Sequence, residues 1–316
     1  MPKGSLTTLH SNGPELSPAS SSQPRIQCRE ICAADIERIA SLLHAGFPER
    51  SRDHWMLTLN RLATHSTPEG YPKFGYLLAI DGIPVGVVLI IFSSMRVAGE
   101  TRIRGNVASW YVEPLFRSHA TMLTSRAVAH KNVTFLNITP ARHTWPILEA
   151  QGFTAFGTGQ FKAMSVFRAG PPDARVSAVS AETAPGNDLS SADIALLLQH
   201  ASYGCISVIC TAEKRRYPFV FLRRSHEWKS TRVPLSFALP HALLVYCRGV
   251  EEFVRFAGPL SRFLAWRGMP MVFIESDGPI RGLLGKFSAT GPKFFKGPHP
   301  PHIGDVAYTE RVMFGL

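Results

Sequence analysis

The chain lacks any apolar run long enough to cross a bilayer: its most hydrophobic stretch, Val85 to Phe92, falls far short of the roughly 20 residues a spanning helix needs. The first 24 residues, rich in Ser, Pro and Gly, hold no apolar core of a secretory signal and read as a flexible extension. Cysteine is scarce, with five in 316 residues. Cys205 and Cys210 have an odd separation that puts them on opposite faces of a strand. Neither they nor Cys28 and Cys32 have a His cluster at ligand spacing, which argues against zinc and against a disulfide framework. Free thiols suit a reducing compartment, so a soluble cytoplasmic protein is expected. Clustered basic runs are also missing: the densest pieces are Lys214-Arg-Arg216 and Arg223-Arg224, each flanked by apolar strand-like residues. A net charge of +11 and a pI near 9.7 would attract nucleic acid, an anionic membrane or a phosphorylated small molecule. With no zinc-finger or RNA-recognition signature, nucleic acid is not the expected partner.

What is present is a globular composition, 45% hydrophobic and 18% charged, in a chain whose length suggests two domains at roughly 150 residues each. Arg25 to Glu30 reads as a strand, and Ala34 to Leu43 as a helix that Asp35 can cap. Arg52 to Thr64 follows as a helix with Trp55, Leu59 and Leu62 on one stripe. Tyr76 to Ile80, the Asp81-Gly82 turn and Val85 to Phe92 form a hairpin. Then come a strand at Val107–Val112, a helix at Thr121–His130, a strand at Val133–Ile138, a helix at Thr139–Gln151 stopped by Gly152, and a last strand at Phe161–Phe167. Residues 169–189, rich in Pro, Ala, Gly and Ser, read as a linker. Beyond it the pattern of helix, three strands, helix and strand recurs: Ser191–Ala201, Cys205–Cys210, Pro218–Leu222, Ala242–Cys247, Glu251–Arg267 and Met271–Ile274. The second half therefore reads as a divergent copy of the first.

The stretch Ser109 to Leu123 carries the most information, because an apolar strand ends there in a short basic turn that opens a helix. A helix start leaves backbone N–H groups unpartnered and carries about half a positive charge, so it suits a phosphate. A phosphate-bearing cofactor is thus the first expectation.

Residues 25–168 resemble the GNAT superfamily of acyl-CoA-dependent N-acyltransferases. Three pieces carry the resemblance: the hairpin with Gly82 and Gly86; Trp110-Tyr-Val-Glu-Pro-Leu-Phe-Arg117; and Val133-Thr-Phe-Leu-Asn-Ile-Thr139 with Ile147-Leu-Glu-Ala-Gln-Gly-Phe153. The whole chain also resembles bacterial tandem acyl-CoA acyltransferases. The implied fold is α/β, in two GNAT-like lobes, each a mixed, mostly antiparallel sheet flanked by helices, with the second lobe degenerate. The implied organisation is an extension at 1–24, an acyl-CoA-binding domain at 25–168, a linker at 169–189 and a degenerate domain at 190–316.

The resemblance implies transfer of an acetyl or longer acyl group from acyl-CoA to an amine of a small-molecule or sugar acceptor, without a metal. The strand ending at Val112 would splay from the one ending at Ile138 to admit the pantetheine arm. The N–H near Tyr111 or Val112 would face the thioester oxygen. The pyrophosphate would rest on Arg117, Ser118, His119, Ala120, Thr121 and Met122, and Asn137 would orient the arm or a water. The family's turn glycines are replaced here by Ala120 and Met122, and Leu148 stands where many relatives carry a Tyr acid. Glu113 and His143 are the remaining candidates for proton transfer. A binding or regulatory module that keeps the fold without the chemistry is the alternative.

In the second half, Gly278 to Lys286 imitates a phosphate loop but misplaces its first glycine and puts Phe287 where Ser or Thr should bind magnesium. It is read instead as a loop closing the cleft. Lys293 to His302 is read as an ordered tail near the domain junction.

Overall fold

Asp81 and Gly82 both adopt positive φ, 50° and 81°, the conformation a tight two-residue hairpin requires, and they join the two strands the sequence places there. In the computed structural model, which describes residues 25–97, 99–180, 182–183, 188–229 and 236–315, this hairpin is the middle of a larger sheet. The expected extension at 1–24 lies outside the described residues. The first half comprises β1 (Ile26–Glu30), α1 (Ile36–Gly46), α2 (Arg52–Thr64), β2 (Gly75–Ile80), β3 (Ile83–Val97), β4 (Glu100–Val112), α3 (Ala120–Ala127), β5 (Val133–Asn137), α4 (Trp145–Ala150), β6 (Thr154–Phe156) and β7 (Gly159–Ala163). The second comprises β8 (Arg175–Ala178), α5 (Ser191–Ser202), β9 (Ile206–Ala212), β10 (Arg215–Lys229), β11 (Ser236–Tyr246), α6 (Val250–Ala265), β12 (Val272–Ser276), β13 (Gly285–Ala289), β14 (Lys293–Lys296) and α7 (Glu310–Met313).

Two seven-stranded sheets result, in the orders β1-β2-β3-β4-β5-β14-β6 and β13-β7-β12-β11-β10-β9-β8. Each is antiparallel except for one parallel pair, β4 with β5 and β11 with β12. The halves exchange a strand. β7 inserts between β12 and β13, and β14 inserts between β5 and β6. The last strand expected for the first lobe thus belongs to the second sheet, and part of the segment read as a C-terminal tail completes the first. Short-range patterning marks a strand but not the sheet it joins. Gly297 lets β14 leave this position: its φ is 139°, and a Cβ there would meet the Val133 carbonyl oxygen at 2.4 Å.

Three further differences have local causes. Helix formation after Thr139 is delayed to Trp145 behind a 3-10 turn at Arg142–Thr144, because Pro140 breaks a helix and Pro146 is tolerated only in a first turn. Residues 169–189 are not all linker: β8 pairs with β9 along one edge, where a strand needs few apolar side chains. Asp35 does not cap α1 through its side chain. Its carboxylate instead takes the Cys32 N–H and both terminal nitrogens of Arg29, at 2.7 Å each.

The helices sort the core. Ile39, Leu43, Trp55, Leu59 and Leu62 are fully buried against one face of the first sheet, each contributing about 1.5–3 kcal/mol. This cluster continues through Ile194 and Leu197 of α5 to Val312, Met313 and Phe314, so the lobes share a core. α3 and α4 cover the opposite face, and α6 covers the second sheet with Phe253, Phe256, Leu260 and Leu264.

Candidate functional site

β4 and β5 are hydrogen-bonded only from Ile103–Val133 to Asn106–Leu136. Beyond that point β4 continues to Val112 beside β3, while β5 ends at Asn137 with β14 on its other edge, so the two strands part and leave a wedge. From Val107 onward the β5-facing edge of β4 has no strand neighbour, and such an edge offers unpaired amides to an extended ligand.

A bulge shapes that edge. Val87 opposes Tyr111 and Leu89 opposes Ala108, so Ser109 and Trp110 together face Val88, and Ser109 takes a φ of 50°. No sequence signal marks this bulge, since Ser has no preference for that conformation. Further along, the Glu113 N–H donates to the Val85 carbonyl at 2.9 Å. By antiparallel alternation, the neighbouring Val112 amide turns away from β3 toward the gap. Of the two candidate residues, Val112 has the amide that faces the gap, but its side chain is buried in the core and only Tyr111 lines the cavity described next.

A cavity of about 530 Å³ occupies the wedge. It brings together Tyr111, Arg117, Asn137 and His143 from the expected set. It also recruits Gly46, Phe47, Glu49 and Arg50 from the end of α1 and the loop after it, Trp55 of α2, and Thr139 after β5. Sequence reasoning missed these, because nothing local in Phe47-Pro-Glu-Arg50 says which strand it will face. Glu113 is not in this cavity. It lies on the far side of α1, in a shallow depression with Glu37, Arg38 and Arg52. His143, on the exposed 3-10 turn, is thus separated from Glu113 and shares the wedge with Glu49. The Tyr111 ring packs on Gly46, where a Cβ would meet it at 2.4 Å.

The expected phosphate seat differs from an open turn. Pro114–His119 form a 3-10 helix leading directly into α3, so the Phe116 and Ala120 amides donate to Glu113 and Arg117 carbonyls. Ser118, Thr121 and Met122 are exposed on this stretch and His119 and Ala120 half-exposed, all outside the cavity, while the Arg117 side chain reaches it. Leu148, the α4 residue at the position of the relatives' acid, is buried in the core.

At the apex of the wedge sits a buried carboxyl. Glu310, the first residue of α7, accepts a hydrogen bond from Thr139 Oγ1 at 2.6 Å and another from the Asn106 side-chain amide. Burial raises its pKa above the ordinary carboxylate range, against the opposing effect of these two donors. Asn106 is the last β4 residue paired with β5, so the network marks where the strands separate.

Among the described residues, the corresponding gap in the second lobe is closed. β11 pairs with β12 only at Ala242 and Leu243, but the space beyond is filled by the chain itself: Val306 N–H donates to Val245 and Cys247 N–H to Gly304. The Gly278–Lys286 loop, expected to close the cleft, instead turns at Gly282 into the edge strand β13, where Arg168 holds the Gly282 carbonyl. No group of three or more His, Cys, Asp or Glu side chains among the described residues is placed to hold a metal. All five cysteines are free, and no described helix is long and apolar enough to cross a membrane.

The sequence matches no protein-family model and no curated protein. Solved structures do match. A GCN5-related N-acetyltransferase from Anabaena variabilis superimposes with a TM-score of 0.55 over 86% of this chain and 72% of its own, at 8% identity. A candidate acetyltransferase from Pyrococcus horikoshii gives 0.54 over 95% and 97%, at 14% identity. A GCN5-related N-acetyltransferase from Kribbella flavida gives 0.51 over 86% and 71%, at 12% identity. The chain therefore has the GNAT fold, built twice, as its sequence resemblance implies.

Proposed function

We propose that the first lobe transfers an acyl group from an acyl-CoA thioester to an amine. The observation that carries this reading is the parting of β4 from β5 after Asn106 and Leu136, which opens a backbone edge onto a cavity of about 530 Å³. A pantetheine arm is an extended chain with two amides and fits such an edge as an added strand. Arg117 would pair with a phosphate group of the cofactor.

In the reaction the neutral amine nitrogen attacks the thioester carbon and forms a tetrahedral centre, whose oxygen the Val112 N–H stabilises as charge develops. The carbon–sulfur bond then breaks, and the proton released by the nitrogen ends on the CoA thiol. His143 and Glu49, which line the same cavity, are suited to relay that proton and to hold the acceptor's cation before deprotonation. Much of the rate enhancement would come from positioning.

A second reading, a cofactor-binding module without turnover, is favoured by Leu148 and by the engaged amides of the 3-10 turn. Thermal shift of the full chain with a panel of acyl-CoAs tests binding, and mass spectrometric detection of free CoA with a panel of amines tests turnover. Stabilisation that disappears in Arg117→Glu is the expected result. Binding without CoA release selects the module, and no shift with any acyl-CoA refutes both.

A further inference from the structure

We propose that a second cavity, between the lobes, binds a small polyanion bearing phosphoryl groups. It lies at the closed end of the β4–β5 ladder, beside the Arg104–Thr134 pair, whereas the wedge opens at the other end beyond Asn106. Its volume is about 330 Å³, at the small end of the roughly 300–1,000 Å³ typical of ligand sites, which suits a small metabolite. The inference stands apart from the acyl-transfer reading and shares no residue with it.

Charge argues for the ligand class. The cavity is lined by Arg96, Arg102, Arg104 and Arg248 against two carboxylates, Asp193 and Asp305. Both carboxylates are already committed: Asp305 takes Arg104 in a two-pronged pair, and Asp193 takes Arg248 at 2.9 Å. Two guanidinium groups have no partner among these two carboxylates. The Arg96 side chain makes no hydrogen bond or ion pair among the described residues. Arg102 reaches only the exposed Glu100, at 3.5 Å, and its buried Nε has no partner. His299 and His302 line the same space. The His302 Nδ1 is occupied by the Ile303 carbonyl, which leaves Nε2 3.8 Å from Asp305.

Geometry makes the site a joint between the lobes. Arg96 and Arg102 come from the β3–β4 hairpin of the first lobe. Arg248 follows β11, Asp193 opens α5, and the two histidines lie on the segment after β14. Guanidinium groups in excess of the carboxylates lining one cavity repel each other. A multivalent oxyanion removes that repulsion and matches the planar donor forks of arginine with two acceptors each. The occupant would therefore hold both lobes at once, and its binding should raise the stability of the whole chain.

The test is isothermal titration and thermal shift of the full chain at pH 7, using sodium pyrophosphate, sodium citrate and sodium chloride at matched ionic strength. Saturable single-site binding of pyrophosphate, tighter than citrate and accompanied by a higher Tm, is the expected result. The double variant Arg96→Gln/Arg102→Gln should weaken it roughly tenfold or more, and Arg117→Glu should leave it unchanged. If the double variant is poorly folded, the exposed Arg96→Gln alone should still weaken binding severalfold. Absence of saturable binding, binding indifferent to the arginine variants, or loss of binding in Arg117→Glu would overturn the proposal. Citrate binding more tightly than pyrophosphate would overturn the phosphoryl assignment.

Discussion

Asp305 receives both terminal nitrogens of Arg104, at 2.7 and 2.6 Å, and so fastens the middle of the first sheet to the segment that fills the second lobe's gap. Both side chains are almost fully buried. Burial alone would raise the Asp305 carboxyl, but Arg104 outweighs it and holds the group below the usual carboxylate range. Asp305→Ala strands a buried guanidinium and should cost about 3–5 kcal/mol in chemical denaturation. The double variant Arg104→Met/Asp305→Leu should recover most of that loss, and equal losses in both would contradict the pairing argument.

The exchange of β7 and β14 makes the lobes interdependent. A fragment ending at residue 168 has β7 without its partners and a first sheet gapped between β5 and β6. Such a fragment should not give a cooperative unfolding transition, whereas the full chain should unfold in one. Independent two-step unfolding of the full chain, followed by calorimetry, would count against this coupling.

Gly46 sets the position of Tyr111 in the wedge. Gly46→Ala brings a methyl group into the Tyr111 ring and must displace it, and the room behind the ring is occupied by Phe47 at 6.2 Å between centroids. On the proposed function, acyl-CoA affinity should fall roughly tenfold while the circular dichroism spectrum is retained. Undiminished affinity would place the ligand elsewhere.

Stability should depend on pH through His200. The ring is completely buried, with Nδ1 hydrogen-bonded to the Leu196 carbonyl at 2.8 Å and Nε2 accepting from the Tyr308 N–H at 3.2 Å. Burial depresses its pKa from 6.5 to about 4. The unfolded chain therefore binds the proton first as pH falls. The contribution is intact above about pH 6.5 and is lost progressively toward pH 4, up to about 3 kcal/mol for this residue. Urea denaturation at pH 7.5 and 5 should show the loss, and His200→Gln should flatten it.

Thiol reactivity should divide the cysteines. Cys32 is exposed and Cys28 half-buried, whereas burial lifts Cys205 and Cys210 to about 12, and Cys247 also upward. Titration of the native chain with a thiol reagent should label Cys32 first and Cys28 more slowly. The other three should react only in denaturant, as peptide mapping would show.

What the sequence determined by itself was local. The Asp81-Gly82 turn, the α2 boundaries at Arg52 and Thr64 and the run at Tyr111 to Arg117 follow from residue types within one or two turns of one another. These suffice for the order of the main elements from β1 to β5 and for the resemblance to a GNAT lobe, but not for the short strands β6, β8, β13 and β14. What only the tertiary structure decided was non-local. Which sheet takes β7 and β14, the bulge at Ser109, the removal of Glu113 from the wedge, and the arrival of Glu49, Glu310 and the interlobe arginines all depend on contacts between segments far apart in the chain. Side-chain periodicity records which face of a strand is buried, and it carries no record of the strand that will lie beside it.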